Sequence, residues 1–116
     1  ARRDGWGPSL DALTTEAVQA AVARASRVAA GELKGPRKSQ DISVARAIAM
    51  YLSRELTGVS YPAIGRRFGG KDHTSVIHAC RRVVGDSNLL SRAEYIRSLL
   101  TPDQPPALIA ASRQPT

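Results

Sequence analysis

The apolar positions near the start of the chain fall at helical spacing. Ala17, Val18, Ala21, Val22, Ala25, Val28 and Ala29 recur three and four residues apart, which predicts an amphipathic helix because such residues share one side of a 3.6-residue turn. Thr14 or Thr15 offers a capping oxygen, Glu16 stands in the first turn, and Gly31 is expected to end the run. Glu32 to Lys34 fit one further turn before Gly35-Pro36 breaks the chain. The basic stretch Pro36-Arg37-Lys38-Ser39-Gln40 has nothing apolar to bury and reads as a loop.

A stronger helical pattern follows. Val44, Ala45, Ile48, Ala49, Tyr51, Leu52 and Leu56 cover one side, with Arg46, Ser53 and Arg54 on the other. Thr57-Gly58 stops the run. Ser60 then supplies a cap and Pro62 sits in a first turn, where its missing N–H is harmless, so a short helix is expected to about Phe68. Gly69-Gly70-Lys71 predicts a tight turn, and Asp72 caps a helix over 73–84 with its charge at the positive end. Two helices joined by so short a glycine turn form a helix-turn-helix. Gly85 to Asn88 marks a break, and a last helix from about Ser91 to Leu100 points Ala93, Ile96, Leu99 and Leu100 inward. The fold class is therefore all-α, a compact helical domain over 14–100. Residues 1–13, around a lone Trp6, read as a flexible leader, and 101–116 as a Pro-rich flexible tail.

Composition narrows this picture. At 116 residues the chain makes one domain, and with one Phe, one Trp and three Tyr its core must be aliphatic. The single Cys80 closes no intrachain disulfide, and no apolar run suits a signal peptide or a membrane span, so the expected setting is the cytoplasm. The first residue, Ala1, fits a processed terminus or a segment of something longer. Charge adds more. Between Lys34 and Arg82 ten cations face three acids, which accounts for the whole net charge of +7. That placement suits a binder of polyanions, and equally a solvated basic face.

The pattern within 73–84 separates the two. At about 100° per residue, Val76, Ile77, Cys80, Val83 and Val84 gather on one side as a stripe to be buried. Thr74, Ser75, His78, Arg81 and Arg82 take the other. Short polar groups early in a helix and guanidinium groups late in it are what a recognition helix needs, the first for base edges and the second for phosphates. His73 falls toward the apolar side and is expected to be half-buried. Asp72 has a sufficient structural role as a cap.

Other chemistries fit poorly. His73, His78 and Cys80 are spaced to point to different sides of a helix, so no metal site is expected. Gly65-Arg66-Arg67-Phe68-Gly69-Gly70-Lys71 mimics a phosphate-binding loop, yet Asp72 stands where Ser or Thr should bind magnesium, and a helix precedes the glycines. No nucleotide or other cofactor is expected, and no catalytic grouping stands out, so the chain does not read as an enzyme. Tyr51, Phe68 and Cys80 read as core.

Ile48-Ala49-Met50-Tyr51-Leu52, Arg54-Glu55-Leu56-Thr57, Ser60-Tyr61-Pro62-Ala63-Ile64-Gly65 and, above all, the stretch from Phe68-Gly69-Gly70-Lys71-Asp72-His73-Thr74-Ser75 to Arg81 carry a resemblance. The chain resembles the C-terminal DNA-binding domain (domain IV) of the bacterial replication-initiator family DnaA, a helix-turn-helix of the Trp-repressor type. It does so over residues 14–84, and over the last helix only by pattern. The resemblance implies that Asp72, His73, Thr74, Ser75 and His78 meet bases in the major groove of a DnaA box. Lys38 would enter the adjacent minor groove beside Arg37, and Arg46, Arg54, Tyr61, Pro62, Lys71 and Arg81 would lie at or near the phosphate backbone. A carboxylate accepting from cytosine N4, and Thr or His against a thymine methyl, fit those roles.

The sequence departs from the family pattern where Lys71 and Lys38 stand in place of arginines, since a lysine lacks the planar fork. Ala45 and Ala47 replace a Pro and a Gln beside Arg46, and the family's ATPase module has no counterpart in these residues. The expected function is sequence-specific binding of duplex DNA in replication initiation or its regulation. The implied partners are DNA and replication-initiation proteins, with the domain a monomer associated with the nucleoid. A stand-alone regulator of replication or transcription, or a protein-interaction adaptor without box specificity, are the other readings.

Overall fold

The computed structural model describes residues 14–101, so the leader at 1–13 with Trp6 and the tail beyond Thr101 lie outside the described residues. Helix α1 spans Thr15–Ser26, capped by Thr14, whose Oγ1 accepts the Ala17 N–H at 3.1 Å. It ends earlier than expected. Arg27 takes left-handed backbone (φ 59°), and the Arg27 and Val28 N–H groups return to the Arg24 and Ala23 carbonyls at 3.3 and 3.0 Å. This is the paired closure of a Schellman motif, made without glycine. Val28 packs back against the core, and a separate 3₁₀ turn, Ala30–Leu33, anchors itself with the wholly buried Leu33. The inward face of α1 is also rotated from the expected one. Ala25 is exposed, while Thr15 and Gln19 are buried, because Gln19 Nε2 donates to the Arg67 carbonyl at 3.0 Å and ties α1 to the end of the third helix.

Helix α2 spans Gln40–Thr57, from Ser39 to the left-handed Gly58. It is the central element, in contact with α1 on one side and with every later helix on the others. Its buried residues consequently run round most of its circumference, from Ile42 and Val44 to Met50, Leu52 and Ser53. Ser53, expected on the polar side, is fully enclosed for this reason.

Helix α3, Tyr61–Arg67, starts at Ser60, whose Oγ accepts the Ala63 N–H at 3.3 Å. Helix α4, His73–Val84, starts at Asp72, whose Oδ2 accepts the Thr74 N–H at 3.0 Å. Between them the Gly70 and Lys71 N–H groups return to the Gly65 carbonyl at 3.0 and 2.8 Å, and Phe68 drops into the core with no exposed surface. Truncating such a side chain costs about 3–5 kcal/mol, so the turn is fastened from below. Helix α5 spans Ser87–Leu100 and starts four residues before the sequence suggested. Asp86 Oδ1 accepts the Asn88 and Leu89 N–H groups at 2.9 and 3.2 Å and caps it directly after Gly85.

On α4, Val76, Cys80 and Val83 are buried and Ile77 is half-buried, whereas Val84 is 60% exposed, the end of the helix having outrun its neighbours. On α5, Ala93 and Ile96 face inward as expected; Leu100 is partly buried and Leu99 is exposed. The whole is all-helical among the described residues, with the helix-turn-helix carried on one side of α2.

Candidate nucleic-acid interface

The first turn of α4 stands clear of the protein. Asp72, His73, Thr74 and Ser75 are all exposed, so the helix presents its N-terminus, with its positive dipole end, to whatever approaches. His73 is not half-buried as its angular position suggested. It is the first residue of the helix, no neighbouring element covers it, and its Nδ1 lies 3.7 Å from Asp72 Oδ1. The Asp72 carboxyl is held below its usual range, first by the Thr74 backbone N–H and also by the Thr74 hydroxyl and His73. It is therefore a carboxylate, an acceptor only.

Beside that turn lies the basic loop. Arg37 and Lys38 are exposed, and Arg37 Nε is 4.0 Å from Glu32 Oε1. Loop and helix enclose an open groove of about 540 Å³, bordered by Lys38, Arg46, Lys71, Ser75, His78 and Arg82. Four of those six side chains are cationic, and Asp72 is the only carboxylate on the lining. Ala47, Met50 and Ala79 also line the groove.

Two of the cations already donate to backbone carbonyls. Arg46 donates from Nε to the Leu33 carbonyl at 3.0 Å, and from Nη2 to those of Glu32, Gly35 and Arg37 at 2.9, 3.0 and 2.8 Å. Lys71 Nζ donates to the Lys34 and Gly35 carbonyls at 3.3 and 2.9 Å. Their pKa values are lowered, in both cases chiefly by burial; for Lys71 the neighbouring Arg46 and Lys38 add to the effect. A carbonyl partner satisfies a donor without cancelling its charge, so the groove stays positive.

The model of the family described as the bacterial dnaA protein helix-turn-helix matches residues 15–83. The chain belongs to this family. Curated relatives named chromosomal replication initiator protein DnaA are similar to it. The protein from Streptococcus equi subsp. zooepidemicus is 38% identical over 91 residues, covering 78% of this chain and 20% of the relative. That from Lactobacillus delbrueckii subsp. bulgaricus is 44% identical over 87 residues, covering 72% and 19%. The chain thus spans about one fifth of the length of these relatives. The matched region is the DNA-binding, non-catalytic part of the DnaA family.

Set on this DnaA helix-turn-helix, the residues singled out in the sequence divide into two groups. Lys38, Arg46, Lys71, Asp72, Ser75 and His78 converge on the groove, with Arg37, His73 and Thr74 exposed close by in sequence. Arg54, Tyr61 and Arg81 do not. They border a second concavity of about 470 Å³ on the opposite flank of α4, together with Ile77, Cys80 and Val84. There the Arg54 guanidinium lies 4.7 Å from the centre of the Tyr61 ring and donates to the Val59 carbonyl at 3.0 Å. Pro62 is exposed in the first turn of α3.

Sequence reasoning put Arg82 among the guanidinium groups suited to phosphates but did not bring in Ser43. Arg82 Nη1 donates to Ser43 Oγ at 3.0 Å across the groove, joining the late part of α4 to the start of α2. Ser43 stands one helical turn before Arg46 and so shares its face, which was the available signal. Among the described residues no three His, Cys, Asp or Glu side chains are grouped to hold a metal ion. Burial pushes the Cys80 thiol up to about 11, with Glu55 adding to the rise and Arg54 opposing it. No described helix is long and apolar enough to cross a membrane.

Proposed function

We propose that this chain reads duplex DNA at sites of the DnaA-box type, acting in replication initiation or its control within the cytoplasm. Helix α4 would enter the major groove by its first turn. Asp72 would accept from a cytosine amino group, and His73 and Thr74 would lie against thymine methyls or base-edge acceptors, with Ser75 and His78 behind them. Arg37 and Lys38 would reach the neighbouring minor groove.

The observation that carries this reading is the groove between those two elements. A protein that reads a major groove with one element and the adjoining minor groove with another must accommodate the sugar-phosphate strand that separates them. Here the space between α4 and the loop is a positive channel bordered by Lys38, Arg46, Lys71 and Arg82. Ordered phosphate contacts there would set register, leaving α4 to supply specificity. Arg81, Arg54, Tyr61 and Pro62 would flank the strand beyond α4. The domain would act as a monomer, with replication-initiation proteins as further partners.

A fluorescence-anisotropy titration with the His73→Ala variant tests the assignment. Loss of about 1–3 kcal/mol on a box duplex, with little change on a scrambled duplex, is the expected result. An equal loss on both duplexes would reduce His73 to a non-reading role and contradict the assignment.

A further inference from the structure

The loop that carries Arg37 and Lys38 is held from the side by two cations. The carbonyls of Glu32, Leu33, Gly35 and Arg37 all accept from Arg46, and those of Lys34 and Gly35 from Lys71. Apart from Pro36, every residue from 32 to 37 thus has its carbonyl engaged by one of these side chains. The two cations come from different places, Arg46 from the central helix and Lys71 from the turn that sets the start of α4. Gly35 is the shared point, bonded by both. Backbone reinforces the same junction, since Gly69 packs directly on the Lys34 carbonyl.

We infer that Arg46 and Lys71 are positioning residues, a two-sided clamp that fixes the Arg37–Lys38 arm relative to the first turn of α4. In the DNA-reading proposal above, on which this rests for its functional meaning, the clamp sets the distance between the two base-reading elements. This differs from simple phosphate contact. Arg46 has committed Nε and Nη2 internally, and Lys71 directs its ammonium at two carbonyls. A phosphate contact would add an independent increment to affinity, whereas a clamp makes the effect of Lys38 depend on Lys71.

The test uses the full chain with Lys71→Met, Lys71→Arg and Arg46→Met, each with and without Lys38→Ala. In the free protein, backbone heteronuclear NOE values at residues 35–39 should fall in Lys71→Met and Arg46→Met and recover in Lys71→Arg. On a box duplex, Lys38→Ala should weaken binding about tenfold in the unaltered background, the size of one good contact, and under about threefold in Lys71→Met. Lys71→Arg should restore the full tenfold. Unchanged NOE values in Lys71→Met, or the same Lys38→Ala effect in both backgrounds, would overturn the clamp. If Arg46→Met fails to fold by circular dichroism, the Lys71 series decides alone. Failure of the unaltered chain to prefer a box would overturn the DNA reading, while the free-protein NOE values would still judge the clamp.

Discussion

Gly69 stands so close to the Lys34 carbonyl oxygen that a Cβ on it would overlap that atom, and its φ of +87° is one that other residues rarely adopt. Gly65 is in the same position toward the Lys71 carbonyl. Gly70 has a similar φ of +79° but open space around it. These three glycines, one in α3 and two in the turn after it, are therefore not equivalent. Gly70→Ala is expected to cost only the left-handed backbone, about 1–2 kcal/mol. Gly69→Ala must also displace backbone and should cost about 1–3 kcal/mol more, whereas Gly65→Ala, at a helical φ, carries only the displacement of the Lys71 carbonyl, about 1–3 kcal/mol. Urea denaturation of the three variants gives the order directly; equal losses would show that the turn relaxes away from these contacts.

Arg54 joins the end of α2 to the start of α3 through the Val59 carbonyl and the Tyr61 ring. Arg54→Ala should lower unfolding free energy by about 1–2 kcal/mol, from one lost hydrogen bond and one lost cation–ring contact. Arg54→Lys should recover part of it, because an ammonium keeps the charge without the planar stack. A variant as stable as the parent in denaturant would remove this structural role.

Asp72 gives a pH signature. Its folded pKa is depressed, so its contribution to stability is present above the unfolded carboxylate pKa and is lost as pH falls through the folded one. Asn at this position caps a helix but does not titrate. The difference in stability between the parent and Asp72→Asn should be constant near neutral pH and should shift in favour of the variant as acid protonates the cap. A difference independent of pH down to the acid limit would contradict the cap-carboxylate account.

Cys80 is buried and its thiol is raised to about 11, so almost no thiolate exists at neutral pH. Iodoacetamide should label the native chain at neutral pH far more slowly than the chain in denaturant. Comparable rates would mean that α4 opens readily from the core.

Much of this architecture can be read from the sequence, and the parts that cannot share a physical cause. The helix-turn-helix follows from local signals, namely Ser60 and Asp72 as caps and Gly69-Gly70 between two apolar runs. The ends of α1 and α5 are less legible: Arg27 closes a helix in a conformation usually left to glycine, and Asp86 caps α5 although the four residues around it resemble a break. Ser53 and Gln19 are buried through packing on all sides of α2 and through one long-range bond. In the site, exposure of residues 72–75 follows from their place at a helix start, but the destinations of Arg46 and Lys71 do not. Their partners are backbone carbonyls, and any residue type supplies one.

The first turn of α4 and the basic loop are proposed to read a particular duplex. The direct measurement is a titration of the unaltered chain against a DnaA-box duplex and a scrambled duplex of the same length and composition, each at two salt concentrations. Box binding should be tighter by about a hundredfold or more, as at least two base contacts of about 1–3 kcal/mol each require, with both affinities falling as salt rises. Equal affinity for the two duplexes at both salt concentrations would contradict it.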